Sequence, residues 1–111
     1  MHGKFELRKS PNGQYHFSLK SGNGERILSS EMYGSKSGAE IGIESVKKNA
    51  PIEARYERKI STNWQPYFVL KAANNEPIGT SAIFATATAR DNVIESVKLN
   101  APTAQVVDMT V

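Results

Sequence analysis

Two histidines, His2 and His16, are the chain's whole supply of side chains that titrate near neutral pH unperturbed. His2 stands at a terminus, where a chain frays unless something ties it down. His16 alternates with Gln14 and Ser18 and reads as an exposed strand residue, with general base or metal ligand as the competing role. There is no cysteine, hence no thiol nucleophile, thiolate metal site or disulfide framework. An HExxH, a Gly-x-Ser-x-Gly and a Gly-rich phosphate loop are all missing, and Gly22-Asn23-Gly24 reads as a hairpin turn. No catalytic residue, metal ligand or cofactor is assigned. The chain reads as a non-enzyme.

Three further sets of residues could do chemistry. Glu44-Ser45 recurs as Glu95-Ser96, and carboxylates brought together could share a proton or hold a cation, against the plainer role of a solvated helix face. Lys20 and Lys71 end equivalent segments and could form a two-point anion clamp, or serve as charged strand ends. Basic residues are otherwise dispersed. Fourteen Lys and Arg against eleven Asp and Glu leave +3, with Arg8-Lys9, Lys47-Lys48 and Arg58-Lys59 the adjacent pairs. Polyanion affinity comes from several phosphates neutralised together. Lys47 and Lys48 are therefore the candidate nucleic-acid contacts, and random-sequence DNA or RNA is expected to bind weakly, with Kd above about 10 μM.

The elements that position these residues come in duplicate. Sliding the sequence against itself by 51 residues aligns 5–51 with 56–102 without a gap, and 19 of those 47 positions are identical. The strongest block, Ile43-Glu44-Ser45-Val46-Lys47 with Asn49-Ala50-Pro51, returns as Ile94-Glu95-Ser96-Val97-Lys98 with Asn100-Ala101-Pro102. Phe5 to Lys9 alternates apolar and charged, as a half-buried strand does. Pro11-Asn12-Gly13 is turn chemistry, Tyr15, Phe17 and Leu19 share one face of a second strand, and Glu25–Ser29 makes a short third. Ser37-Gly38-Ala39-Glu40 fits a capping box, with Ser35 as an alternative helix start, and Thr88 and Thr86 repeat the choice in copy two. Ala39, Ile43, Val46 and Ala50 form one apolar stripe, Glu44 and Lys48 form a supporting pair, and Pro51 stops the helix.

The second copy departs from the first on one strand. Phe68 and Leu70 match Phe17 and Leu19, so Tyr67 and Val69 fall on the opposite face, with Trp64 just upstream. A strand apolar on both faces is either covered by another element, such as the tail, or offers a contact surface. Trp64, Tyr67 and Val69 are the candidate contact residues. A further step of 51 gives 104–111 a template in the strand that follows the first helix, with Val107, Met109 and Val111 expected to supply a buried face and to close an edge that copy two leaves open.

These residues resemble the YegP-like family of small bacterial and archaeal tandem-repeat proteins of uncharacterised function. The likeness is carried by Phe17–Lys20, Asn23–Glu25, Ile27–Ser30, Tyr33 and the run Gly42–Ala50, and copy two departs at Asn75, Pro77, Gly79 and Val93. The resemblance implies an α+β fold in which two units complement one another like halves of a dimer. It implies no activity.

Composition agrees with an ordered chain, at 39% hydrophobic and 23% charged residues. No apolar run reaches membrane-spanning length and no secretory signal is visible, so a cytoplasmic protein is expected. The architecture expected is one α+β domain over 1–111. Two strand-strand-strand-helix units, 5–51 and 56–102, are related by a pseudo-twofold, with two helices packed on an antiparallel sheet. A C-terminal strand within 104–111 completes the second unit. The chain is expected to be a monomeric internal pseudo-dimer, with a protein partner possible. The function expected is a non-catalytic binding or interaction module, the alternative being a weak nucleic-acid binder using dispersed Lys and Arg.

Overall fold

Alternating apolar residues fold into strands at each place the repeat demands them. The computed structural model describes residues 3–110, so His2 and Val111 lie outside the described residues. In chain order the elements are β1 (Lys4–Lys9), β2 (Tyr15–Lys20), β3 (Arg26–Ser29), α1 (Lys36–Asn49), β4 (Tyr56–Ile60), β5 (Pro66–Lys71), β6 (Pro77–Thr80), α2 (Ala87–Asn100) and β7 (Gln105–Asp108). From β2 to α1, every boundary reappears 51 residues later.

The strands form one sheet in the order β4-β5-β6-β3-β2-β1-β7, antiparallel except for β1 with β7. At its centre Ser29 pairs with Thr80, its own equivalent in the other copy, so the pseudo-twofold passes between them. Each helix packs on the second strand of its own unit and the third strand of the other, α1 on β2 and β6, α2 on β5 and β3. The units therefore interlock rather than sit side by side. Both helices cover the face that carries Phe5, Leu7, Phe17, Leu19, Leu28, Phe68 and Leu70, all buried. In β3 and β6 an extra residue sits opposite β2 and β5, so Ile27 joins Leu28 in the core and Ile78 joins Gly79 in burial. Gly79 is required there, because an added Cβ would lie 2.7 Å from the Leu28 side chain.

The strongest repeated block has a structural explanation. Ile43, Val46, Ile94 and Val97 are buried core, and the Asn49 and Asn100 amides donate to the Ser45 and Ser96 carbonyls at 2.8 Å. Lys47 and Lys98 lie over the rings of Phe5 and Tyr56, at 5.9 and 5.7 Å. The Tyr56 hydroxyl donates to the Ala50 carbonyl at 2.7 Å. The helix starts are the alternative ones. Ser35 Oγ and Thr86 Oγ1 accept from the Gly38 and Ala89 amides, both at 3.0 Å, and Ser37 and Thr88 lie inside the first turn. Ala50 keeps helical dihedrals before Pro51, so the stop falls one residue later than the proline rule places it. The ion pair that forms on α1 is Glu44–Lys47, at 3.8 Å.

The tail is a strand, but it completes the first unit's edge and leaves β4 at the outside of the second. The interlocking explains this. A chain leaving a helix emerges at the far unit: after α1 it becomes β4, and after α2 it reaches β1, which already fills the slot beside β2. β7 therefore pairs outside β1, in parallel. Its expected buried face is not found among the described residues: Val107 and Met109 are 36% and 44% exposed and all four strand residues face solvent. The register sets Val107 beside Glu6, on the face away from the helices, and Asp108 beside Leu7, where it meets Lys36 of α1 at 2.5 Å. Ala104 is the tail's buried residue.

Candidate binding face

With both helices on one side, no element among the described residues lies over the other face of the sheet. Its residues follow from the register. Lys4, Glu6 and Arg8 of β1 stand beside Lys20, Ser18 and His16 of β2, and Arg26 of β3 stands beside Lys20. Across the pseudo-twofold, Glu57 and Lys59 of β4 stand beside Val69 and Tyr67 of β5, with Lys71 at the strand end. That places six cations against two carboxylates on this face of the strands, a surplus of four in a chain whose formal net charge is +3.

The carboxylates organise the cations. Glu6 accepts from Arg8 at 3.0 Å and Lys20 at 3.1 Å, with Lys4 at 3.5 Å, and these side chains leave its own only 6% exposed. The Arg8 hydrogen bond outweighs burial and, with Lys20, holds the Glu6 pKa down to about 2. Glu57 repeats the arrangement with Lys71 at 2.9 Å and Lys59 at 3.7 Å, and its pKa is lowered too, chiefly by Lys71. His16 is half-buried, and its Nδ1 is buried with no hydrogen-bond partner among the described residues.

The expected contact residues fall on one strand and the turn that leads into it. Tyr67 and Val69 lie half-buried on this open face, and the tail does not cover them, because β7 lies at the opposite edge of the sheet. Trp64 stands in the β4–β5 turn, 86% exposed. Its φ is +61°, at the position where the first copy has Gly13 at +83°. The two turns are otherwise alike: Gly13 and Trp64 donate to the Ser10 and Ser61 carbonyls at 3.0 and 2.9 Å, and Ser10 and Ser61 donate to Gln14 and Gln65 at 2.8 Å. A three-residue hairpin loop needs one left-handed residue, which costs a side-chain-bearing residue about 1–2 kcal/mol.

The other sequence candidates are not gathered into a site. Lys20 and Lys71 share the open face but stand three strands apart, roughly 14 Å by strand spacing alone, each on its own glutamate. Lys47 is held against Phe5 on the helix side, and Lys48 lines a cleft between α1 and the β5–β6 turn. That cleft, about 450 Å³, also takes in Glu44, Ser45, Ile41 and Asn74. A cleft of about 460 Å³ occupies the equivalent place on α2, but Asn92 and Leu99 replace Ile41 and Lys48 there. Glu44 and Glu95 pair with Lys47 and Lys98 of their own helices. Among the described residues no group of three or more His, Asp or Glu could hold a metal ion, and no helix is long and apolar enough to cross a membrane. Lys4, Glu6, Arg8, Arg26 and Lys59 join this face through strand pairing and are not among the candidate site residues read from the sequence. The signal for them was present in the period-two charges of the first strand and in the Glu6/Glu57 and Lys20/Lys71 identities.

Comparison with known proteins agrees with the duplicated frame. A UPF0339 protein of Acinetobacter baylyi is 54% identical over 110 residues, spanning 99% of both chains. The solution NMR structure of a UPF0339 protein from Shewanella oneidensis matches with a TM-score of 0.93 at 55% identity, over 99% of this chain and 93% of that one. That of YegP from Escherichia coli, a protein of unknown function, matches at 0.94 and 53% identity, over 99% and 95%. The family model described as "Domain of unknown function (DUF1508)" matches twice in tandem, at residues 10–57 and 61–108. The chain belongs to the DUF1508 family, as a two-repeat protein of the UPF0339/YegP type.

Proposed function

We propose that the protein is a non-catalytic binding module that holds an acidic partner on the uncovered face of its sheet. One observation carries this reading: the helices occupy one side, and the strands present a surplus of four positive charges on the other. A bare sheet face with organised charge is a surface for complementary recognition, and the Glu6 and Glu57 networks fix cations that would otherwise be mobile. The repeated Ser45 and Ser96 accept from the Asn49 and Asn100 amides and so help tie the helix ends.

The test compares two charge reversals in retention on a heparin column. Arg26→Glu with Lys59→Glu alters the open face at two exposed residues outside the tight Glu6 network. Lys48→Glu alters the helix side. The reading expects the first to elute at much lower salt than the parent and the second to elute with it. The opposite ranking would move the binding surface to the helices.

A further inference from the structure

We propose that the partner of the open face is single-stranded nucleic acid, stacked on Trp64 and Tyr67; the inference rests on the reading of that face as a binding surface. Charge alone asks only for an acidic polymer. The aromatic residues ask for more. Trp64 occupies a left-handed position that the first copy gives to glycine, and its 86% exposure returns no burial for the strain. Backbone strain with no packing return is found preferentially at contact sites, and Trp64, unlike Asn75 at the other left-handed turn position of copy two, brings an aromatic ring to it. Tyr67 lies on the open face beside Lys59, and copy one has His16 at the equivalent position, beside Arg8. Aromatic faces next to cations are what successive unpaired bases and their phosphates need, each base stacking on a ring and each phosphate meeting a Lys or Arg. An acidic peptide carries its charge on carboxylates that bear no ring, so charge and stacking surface do not alternate along it unit by unit as they do along a single strand. A duplex hides its π-faces and would leave Trp64 idle.

Lys4, Arg8, Lys20, Arg26, Lys59 and Lys71 spread over strands β1 to β4 of the sheet order, a path of roughly 24 Å at five strand spacings. Two glutamates cancel part of that charge, so three to four phosphates are neutralised on balance. The affinity is accordingly modest.

The experiment uses the full chain, a short fluorescein-labelled oligothymidine read by anisotropy, and heparin as a base-free polyanion. Binding is expected at a Kd of about 10–100 μM near physiological salt, with a log–log salt slope of about −2 to −3. Fluorescence of the chain's single tryptophan should be quenched as the oligonucleotide saturates. Trp64→Gly suits the turn better than the parent residue, so it folds. It should weaken oligothymidine about tenfold while leaving heparin retention unchanged. Equal binding of both probes with no effect of Trp64→Gly would overturn the nucleic-acid inference and leave the binding-surface reading standing. Tighter binding of duplex DNA than of oligothymidine would overturn it as well. Failure of both probes to bind would overturn the two readings together.

Discussion

Replacing Trp64, the most exposed large hydrophobic among the described residues, by glycine should make the protein more stable. Trp64 sits at φ +61° with 86% of its surface in water, so Trp64→Gly gives up almost no buried area. It relieves a left-handed cost of about 1–2 kcal/mol. Against this, glycine loses about 0.5–1 kcal/mol more backbone entropy on folding. At mid-range the net gain is about 0.75 kcal/mol, which raises Tm by roughly 3–6 °C in a domain of this size. The reciprocal change is Gly13→Ala. Nothing lies within 4 Å of an added Cβ there, so its whole cost is conformational and should reach about 1 kcal/mol or more. Urea unfolding with unchanged m-values, together with calorimetry, would read both. A loss above about 0.5 kcal/mol for Trp64→Gly would mean that the indole packs on the hairpin, and the argument for a strained, functional tryptophan would fail.

Three other outcomes follow from the packing and the charges. Val46→Ala and Val97→Ala each remove two fully buried methyl groups and should each cost about 1–2.5 kcal/mol by thermal unfolding; a change below about 0.3 kcal/mol at both would refute the helix-face assignment. Glu6 has a folded-state pKa depressed from 4.5 to about 2, so its stabilisation is full above pH 4.5 and is lost as pH falls towards 2. Glu6→Gln should therefore flatten that acid limb and, after screening by water over the open face, cost about 1–2 kcal/mol at pH 7; an unchanged limb would contradict the network. Truncation before Ala104 bares the β1 edge, and should lower Tm by several degrees and promote self-association visible in sedimentation, whereas an equally stable monomer would show that β7 contributes nothing.

The units and the core were legible because an offset of 51 is a local property of the sequence: Val46 aligns with Val97, and both must be buried for one helix face to be read twice. Strand order was less accessible. Nothing in 104–111 says which edge it joins, since that depends on each helix crossing to the other unit, and a period-two pattern does not reveal that the helices stop short of the outermost strand. Val107 and Met109 were thus read as core and stand in solvent. The capping positions were ambiguous for a related reason, because Ser35 and Ser37 offer the same oxygen two residues apart and only the backbone decides. At the candidate face, Tyr67 and Val69 were visible as an extra apolar side of β5. The cations were not, because Lys4, Arg8, Lys20 and Arg26 are dispersed in sequence and become neighbours only through strand pairing. Lys47-Lys48, adjacent in sequence, diverge in space, with one folded over Phe5 and the other lining a helix-side cleft.

The most direct test of the open face is a map of backbone amide shifts in the labelled protein during titration with oligothymidine. The account predicts that changes concentrate in β1, β2, β4 and β5 and in the Trp64 turn, with α1 and α2 near Ile41, Lys48, Asn92 and Leu99 left unmoved. Shifts confined to the helices and the two clefts beside them would contradict it.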